Sequence, residues 1–137
     1  MPLMFSVEVR DRIMIAHSLP DPFFGPAQNM HGATFIVDVA FFAERLGPKN
    51  VVVDIGAALD VLSETLKPLA YQNLDALPRF KGVLTTTEFL CKYVFDHVSE
   101  AARGGRLGDG GLNLAKIRVT LSETDLARAS FEGPIRG

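Results

Sequence analysis

The sequence predicts an α+β domain whose elements run β-β-α-α-β-β, and three observations lead to that prediction. Two long stretches near the N-terminus, residues 5–17 and 31–42, alternate polar and apolar side chains with the two-residue period of a strand. Two central stretches, 55–66 and 86–103, space their apolar residues at helical intervals. Two shorter alternating stretches close the chain. Strands gathered at the two ends with helices between them fit an α+β fold rather than repeated βαβ units. The chain has 137 residues, with no internal repeat and no domain linker. Residues 1–137 therefore read as a single domain with room for a sizeable core.

In the first strand Phe5, Val7, Val9, Ile13 and Ile15 share one face, Glu8, Arg10 and Arg12 occupy the other, and His17 has the apolar parity. Residues 20–29, rich in Pro, Phe and Gly, read as a loop. In the second strand His31, Ala33, Phe35, Val37, Val39 and Phe41 share a face. Its other face carries Ile36, Ala40 and Phe42, so cover is expected on both sides. Gly47-Pro48-Lys49-Asn50 is a turn. Val51-Val52-Val53-Asp54 leads into a helix with Ile55, Leu59, Leu62 and Leu66 at helical spacing, closed by Pro68. Residues 69–84 are irregular. The second helix is expected to bury Leu90, Cys91, Val94, Val98 and Ala101. It opens on a capping box, with Thr85 at the N-cap and Glu88 three positions on, and stops at Gly104. Residues 104–111 read as a flexible tip. Ala115, Ile117, Val119 and Leu121 then alternate with Lys116, Arg118 and Thr120. Past Ser122-Glu123-Thr124-Asp125, a last strand sets Ala127, Ala129 and Phe131 on one face.

Composition narrows the function classes. Hydrophobic residues make up 47% of the chain, which fits either burial in an oligomer or simply a large core. No apolar run is long enough to cross a membrane. Glu8, Arg10 and Asp11 follow too soon after Met1 for a signal peptide. A single cysteine, Cys91, leaves no intrachain disulfide and fits a cytoplasmic protein. Net charge is -2, without Trp or a basic cluster, which argues against nucleic acid as a partner.

The most informative stretch is Met30-His31-Gly32-Ala33-Thr34-Phe35. A His-x-His pair on a strand aims two imidazoles at one metal, because alternate residues face the same way. Here the second position is Ala33. Ile13-Met14-Ile15-Ala16-His17 is an alternating strand ending in another histidine. Two histidines on neighbouring strands with a third missing look like a catalytic zinc site that has lost a ligand.

These motifs, in this order, resemble the 6-pyruvoyltetrahydropterin synthase family, which includes the 6-carboxytetrahydropterin synthases of deazapurine biosynthesis. Ala16-His17-Ser18-Leu19 is similar to the family's first-strand histidine motif, and His31-Gly32-Ala33-Thr34-Phe35 to its His-Gly-His-Asn-Tyr block. Leu69-Ala70-Tyr71-Gln72-Asn73-Leu74-Asp75 is similar to its Leu-Asp-His-x-Asn-Leu block. Thr86-Thr87-Glu88 and Glu123-Thr124 match its substrate-binding positions. The resemblance implies a T-fold: a four-stranded antiparallel sheet with two helices on one face, three sheets closing into a barrel and two trimers stacking as a hexamer. It also implies active sites between subunits.

Residue by residue, the resemblance separates what is kept from what is lost. Of the family's three zinc ligands only His17 and His31 remain, with Ala33 in the third place. Ala27 stands where the family has its cysteine, and Ala70-Tyr71 where it has an Asp-His pair. Cys91, on the buried side of a helix, does not replace the cysteine, and His97 is assigned a structural or surface role. The expectation is no cofactor, with zinc bound weakly at most. Metal-assisted proton abstraction beside a carbonyl needs a Lewis acid and a poised base, and both are disrupted here. The pterin-recognition positions survive. A pterin presents an amide N–H beside an amino group, and a carboxylate accepts both hydrogen bonds at once. Glu123 is placed to do this, with Thr86, Thr87 and Glu88 adding polar contacts. The reading is a degenerate, homo-hexameric family member that binds a pterin-like small molecule without the parent reaction. Two alternatives stay open: a metal-free enzyme on a pterin or deazapurine, and a non-catalytic hexameric adaptor.

Overall fold

The alternation of the two long N-terminal stretches is realised as a hairpin of two 13-residue strands, β1 (Phe5–His17) and β2 (His31–Ala43). A computed structural model of the chain describes residues 3–108 and 113–135. After the hairpin come α1 (Ile55–Leu66), α2 (Thr87–Arg103), β3 (Lys116–Ser122) and β4 (Arg128–Gly133). Short 3-10 turns at Pro22–Gln28, Leu74–Ala76 and Pro78–Phe80 fill the loops. The strands form one antiparallel sheet in the order β1-β2-β3-β4. Helix α1 lies over β1, α2 over β3 and β4, and the helices touch each other. This is the expected T-fold subunit. The expected tip falls partly outside the described residues, since 109–112 are not among them.

One core joins the odd-numbered face of the sheet to both helices. Val9, Ile13, Ile15, Phe35, Val37, Val39, Phe41, Ile117, Val119 and Leu121 meet Val61, Leu62, Leu66, Leu90, Val94, Phe95 and Val98 in a single cluster. Burying each such side chain stabilises the fold by about 1.5–3 kcal/mol relative to exposure. Two helix faces depart from expectation. In α1 the buried side is Ala58, Val61, Leu62, Thr65 and Leu66, while Ile55 and Leu59 remain exposed. The small Ala58 lets the helix sit close to the sheet and turns Ile55 and Leu59 to its flank. In α2, Phe95, Ser99 and Ala102 are buried, and Ala101 only half so.

On the helix-free face of β2, Ala40 is buried while Ile36 and Phe42 are half-buried, sheltered in part by the chain's own charged side chains. Asp38 is buried beneath a two-pronged hydrogen bond from Arg10, at 2.6 and 3.0 Å. Lys116 Nζ and the Arg118 guanidinium lie 4.9 and 5.2 Å from the centre of the Phe42 ring, their stems sheltering apolar surface.

The two outer strands end the sheet. On β1, the Met14 carbonyl accepts from Tyr71 N–H at 2.7 Å and the Ala16 N–H donates to the Gln72 carbonyl at 3.0 Å. Alternate residues of an antiparallel strand point their backbone groups the same way. Those of Ser6, Glu8, Arg10 and Arg12 therefore face the open edge.

Candidate functional site

The register of the hairpin brings His17 and His31 directly opposite each other at one end of the sheet. Their rings meet edge to face, centroids 4.7 Å apart. His17 is buried, and its Nδ1 lies 3.0 Å from the hydroxyl of Thr85, also buried. The Nδ1–H of His31 donates to the Asn29 carbonyl at 2.8 Å. Since a carbonyl only accepts, the neutral His31 ring keeps its lone pair on Nε2. Burial, reinforced by the neighbouring His31, pushes the His17 imidazole below its usual pKa, opposed by Asp75, Thr85 and Glu123.

The fit of this cluster to a catalytic zinc ion can be tested on its donors. Such a site takes three protein ligands and one exchangeable position. His17 and His31 offer one nitrogen each. Ala33, half-buried on the same face of β2 and opposite Ile15, offers none. Among the described residues no group of three or more His, Cys, Asp or Glu side chains comes together to supply a complete set. The residues present do not fit the ion.

The positions matching the family's proton-transfer groups are equally bare. Ala27 sits in the first 3-10 turn, its carbonyl accepting from Leu19 N–H at 3.1 Å. Ala70 is half-buried against the core. Tyr71 does not pack on its own chain: it is 82% exposed. Its backbone adopts φ +60°, a left-handed conformation that costs an L-residue about 1–2 kcal/mol. The turn holds because it is tied down throughout. Ala70 N–H bonds to Leu66, Tyr71 N–H to Met14 and Gln72 N–H to Leu69. Asn73 pairs with Ala16 in an isolated parallel bridge and caps the next turn through Asp75 N–H. The Asp75 carboxylate accepts from the backbone and hydroxyl of Ser18.

The proposed pterin-recognition residues converge at the same end of the sheet, on its β4 side. Thr87, Glu88 and Glu123, with Ala127, Arg128 and Ala129, line an open pocket of about 190 Å³. Glu123 stands at the β3–β4 turn, its N–H donating to the Ala127 carbonyl at 3.1 Å. The expected capping box is not formed. Thr86, not Thr85, is the N-cap, its hydroxyl accepting from Phe89 N–H at 3.1 Å. Thr85 is drawn inward to bond the His17 ring, so the helix starts one residue later. Glu88 then falls at the second helical position. It makes no reciprocal cap and keeps its carboxylate for the pocket. The Thr86 hydroxyl serves the helix, and Thr86 does not line the pocket.

Cys91 is fully buried, its thiol donating to the Ala129 carbonyl at 3.2 Å. Burial pushes it up to about 11, so it is an inert core thiol. His97 lies on the exposed side of α2, bonded to the Tyr93 carbonyl and stacked on that ring. Sequence reasoning passed over Thr85 as the partner of His17, Asp75 as the clamp on Ser18, and Arg128 as a wall of the pocket. The Thr85-Thr86-Thr87 run signalled a helix start, but not that its first hydroxyl would turn inward.

A sequence model of the family described as 6-pyruvoyl tetrahydropterin synthase matches residues 6–134. No curated protein matches the chain. Among solved structures, the chain is similar to 6-pyruvoyl tetrahydropterin synthase of Caenorhabditis elegans, at 22% identity and TM-score 0.77 over 96% of each chain. It is also similar to the Plasmodium vivax 6-pyruvoyl tetrahydropterin synthase, at 14% identity and TM-score 0.77 over 97% of this chain and 99% of the other. An uncharacterized protein of Wolinella succinogenes shares 14% identity and TM-score 0.67 over 94% and 98%. At these identities the structural likeness speaks for the fold.

Proposed function

The chain belongs to the 6-pyruvoyl tetrahydropterin synthase family, and from that premise we propose that it binds a pterin-like small molecule without running the family's zinc-dependent reaction. The observation that supports this most is a contrast within one end of the sheet. Glu123, Glu88 and Thr87 line a common pocket, whereas the third metal position is Ala33 and the proton-transfer positions are Ala27, Ala70 and Tyr71. A carboxylate at the mouth of a small pocket suits the paired N–H donors of an amino-pyrimidinone edge. At the opposite edge His17 and His31 supply two imidazoles where a catalytic zinc site takes three protein ligands, and alanine stands at two of the three proton-transfer positions. Isothermal titration with neopterin tests the binding half: a saturable heat at one site per chain is expected, and its absence would remove the reading.

The working form in this proposal is a homo-hexamer of two three-sheet barrels. A long strand with open N–H and C=O groups is an aggregation hazard that closure removes. The open edges of β1 and β4 suit each other for closure. The paired turn at 71–72 occupies the end of the β1 edge, leaving Ser6 to Arg12, a length close to the six residues of β4. Val51, Ile55 and Leu59 stay exposed on and beside α1, adding apolar surface for a neighbour. Sedimentation should show a hexamer at micromolar concentration, and a stable monomer there would contradict it.

A further inference from the structure

Tyr71 combines features that its own chain does not explain. Only Asn50 and Tyr71 have positive φ among the described non-glycine residues, and asparagine tolerates that conformation where tyrosine does not. The Tyr71 ring is 82% exposed and takes part in none of the ring contacts made by the other aromatic side chains of the described residues. The turn beneath it is fixed by backbone bonds to Leu66, Leu69, Met14 and Ala16. A glycine would satisfy all of these and relieve the strain. A strained, over-determined backbone presenting an unused side chain points to a role outside the chain.

Its location narrows that role. Tyr71 sits on the β1 edge, and its backbone neighbour Met14 is half exposed. The Glu123 pocket sits on the β4 edge at the same end of the sheet, as the strand registers place it. When β1 of one copy pairs with β4 of the next, the two come together. We propose that Tyr71 of the partner subunit stacks on the flat face of the heterocycle whose donor edge Glu123 holds. The proposal rests on the pterin-binding reading above. It makes Tyr71 a ligand-contacting aromatic platform rather than a substitute base. Glu123 selects the edge of the ligand and the tyrosine its face.

The test compares Tyr71→Gly and Tyr71→Phe with the wild-type protein, by thermal melting without ligand and by isothermal titration with neopterin. Tyr71→Gly should melt no lower than wild type, since the strain is relieved, yet bind neopterin on the order of ten-fold more weakly, the usual effect of removing a stacking ring. Tyr71→Phe should bind within about two-fold of wild type, because the ring face is kept. Three outcomes would overturn the proposal while leaving the pterin reading in place. They are wild-type affinity in Tyr71→Gly, a melting temperature that falls together with its affinity, and a loss in Tyr71→Phe equal to that in Tyr71→Gly. Absence of neopterin binding by the wild-type protein would overturn both.

Discussion

Replacing Glu123 with glutamine should lower the affinity for neopterin about ten- to a hundred-fold. Hydrogen bonds to a charged group contribute roughly 1.5–3 kcal/mol, and each 1.4 kcal/mol is about ten-fold in affinity. The substitution keeps the size of the side chain but turns one acceptor into a donor, set against the donors of the pterin edge. The fold should be little affected, because Glu123 is exposed at a turn and its structural bond is through the backbone. Glu88→Gln should cost less, on the order of a few-fold. One carboxylate can accept the whole amide–amine fork, and in the proposed binding mode that carboxylate is Glu123, with Glu88 lining the same pocket. Titration of both variants with neopterin decides the assignment: unchanged affinity in Glu123→Gln would show that the pterin edge is held elsewhere.

The second large effect is a gain. Ala33→His should convert a protein that purifies with well below one zinc per chain into one that holds about one. A histidine at position 33 would share the face of His31 and stand beside Ile15, two residues along the register from His17. Three imidazoles with one open position complete the pattern of a catalytic zinc site. Zinc takes neutral imidazole, and burial of His17 favours that form of the ring. Elemental analysis of both proteins, purified without chelator, is the readout. One tightly held zinc in the wild type would mean that a ligand other than residue 33 completes the set. No gain in Ala33→His would mean that the bonds to Thr85 and Asn29 hold the two rings in orientations zinc cannot use.

Much of the fold was legible because its signals are local and strong. The alternation through β1, β2 and β3 and the glycine that ends α2 at Gly104 needed no tertiary information. The face of α1 was harder. Ile55, Leu59, Leu62 and Leu66 make as good a helical stripe as Ala58, Val61 and Thr65, and only packing against β1 selects between them. The cap of α2 was read one residue early for a similar reason. Three consecutive threonines offer three equivalent caps, and the choice falls to His17, 68 positions away in sequence, which takes the Thr85 hydroxyl. For the site, the pairing of His17 with His31 and the loss at Ala33 could be read from two motifs. The left-handed backbone of Tyr71 could not, because a tyrosine gives no sign of positive φ. It follows from the way residues 70–73 are tied to the end of β1.

The central proposal separates recognition from reaction, and one incubation probes both. Dihydroneopterin triphosphate, supplied with excess zinc, should bind the protein and be recovered unchanged, with no 6-pyruvoyltetrahydropterin formed. Turnover of that substrate on the order of 1 per second, a rate ordinary for an enzyme, would contradict the proposal.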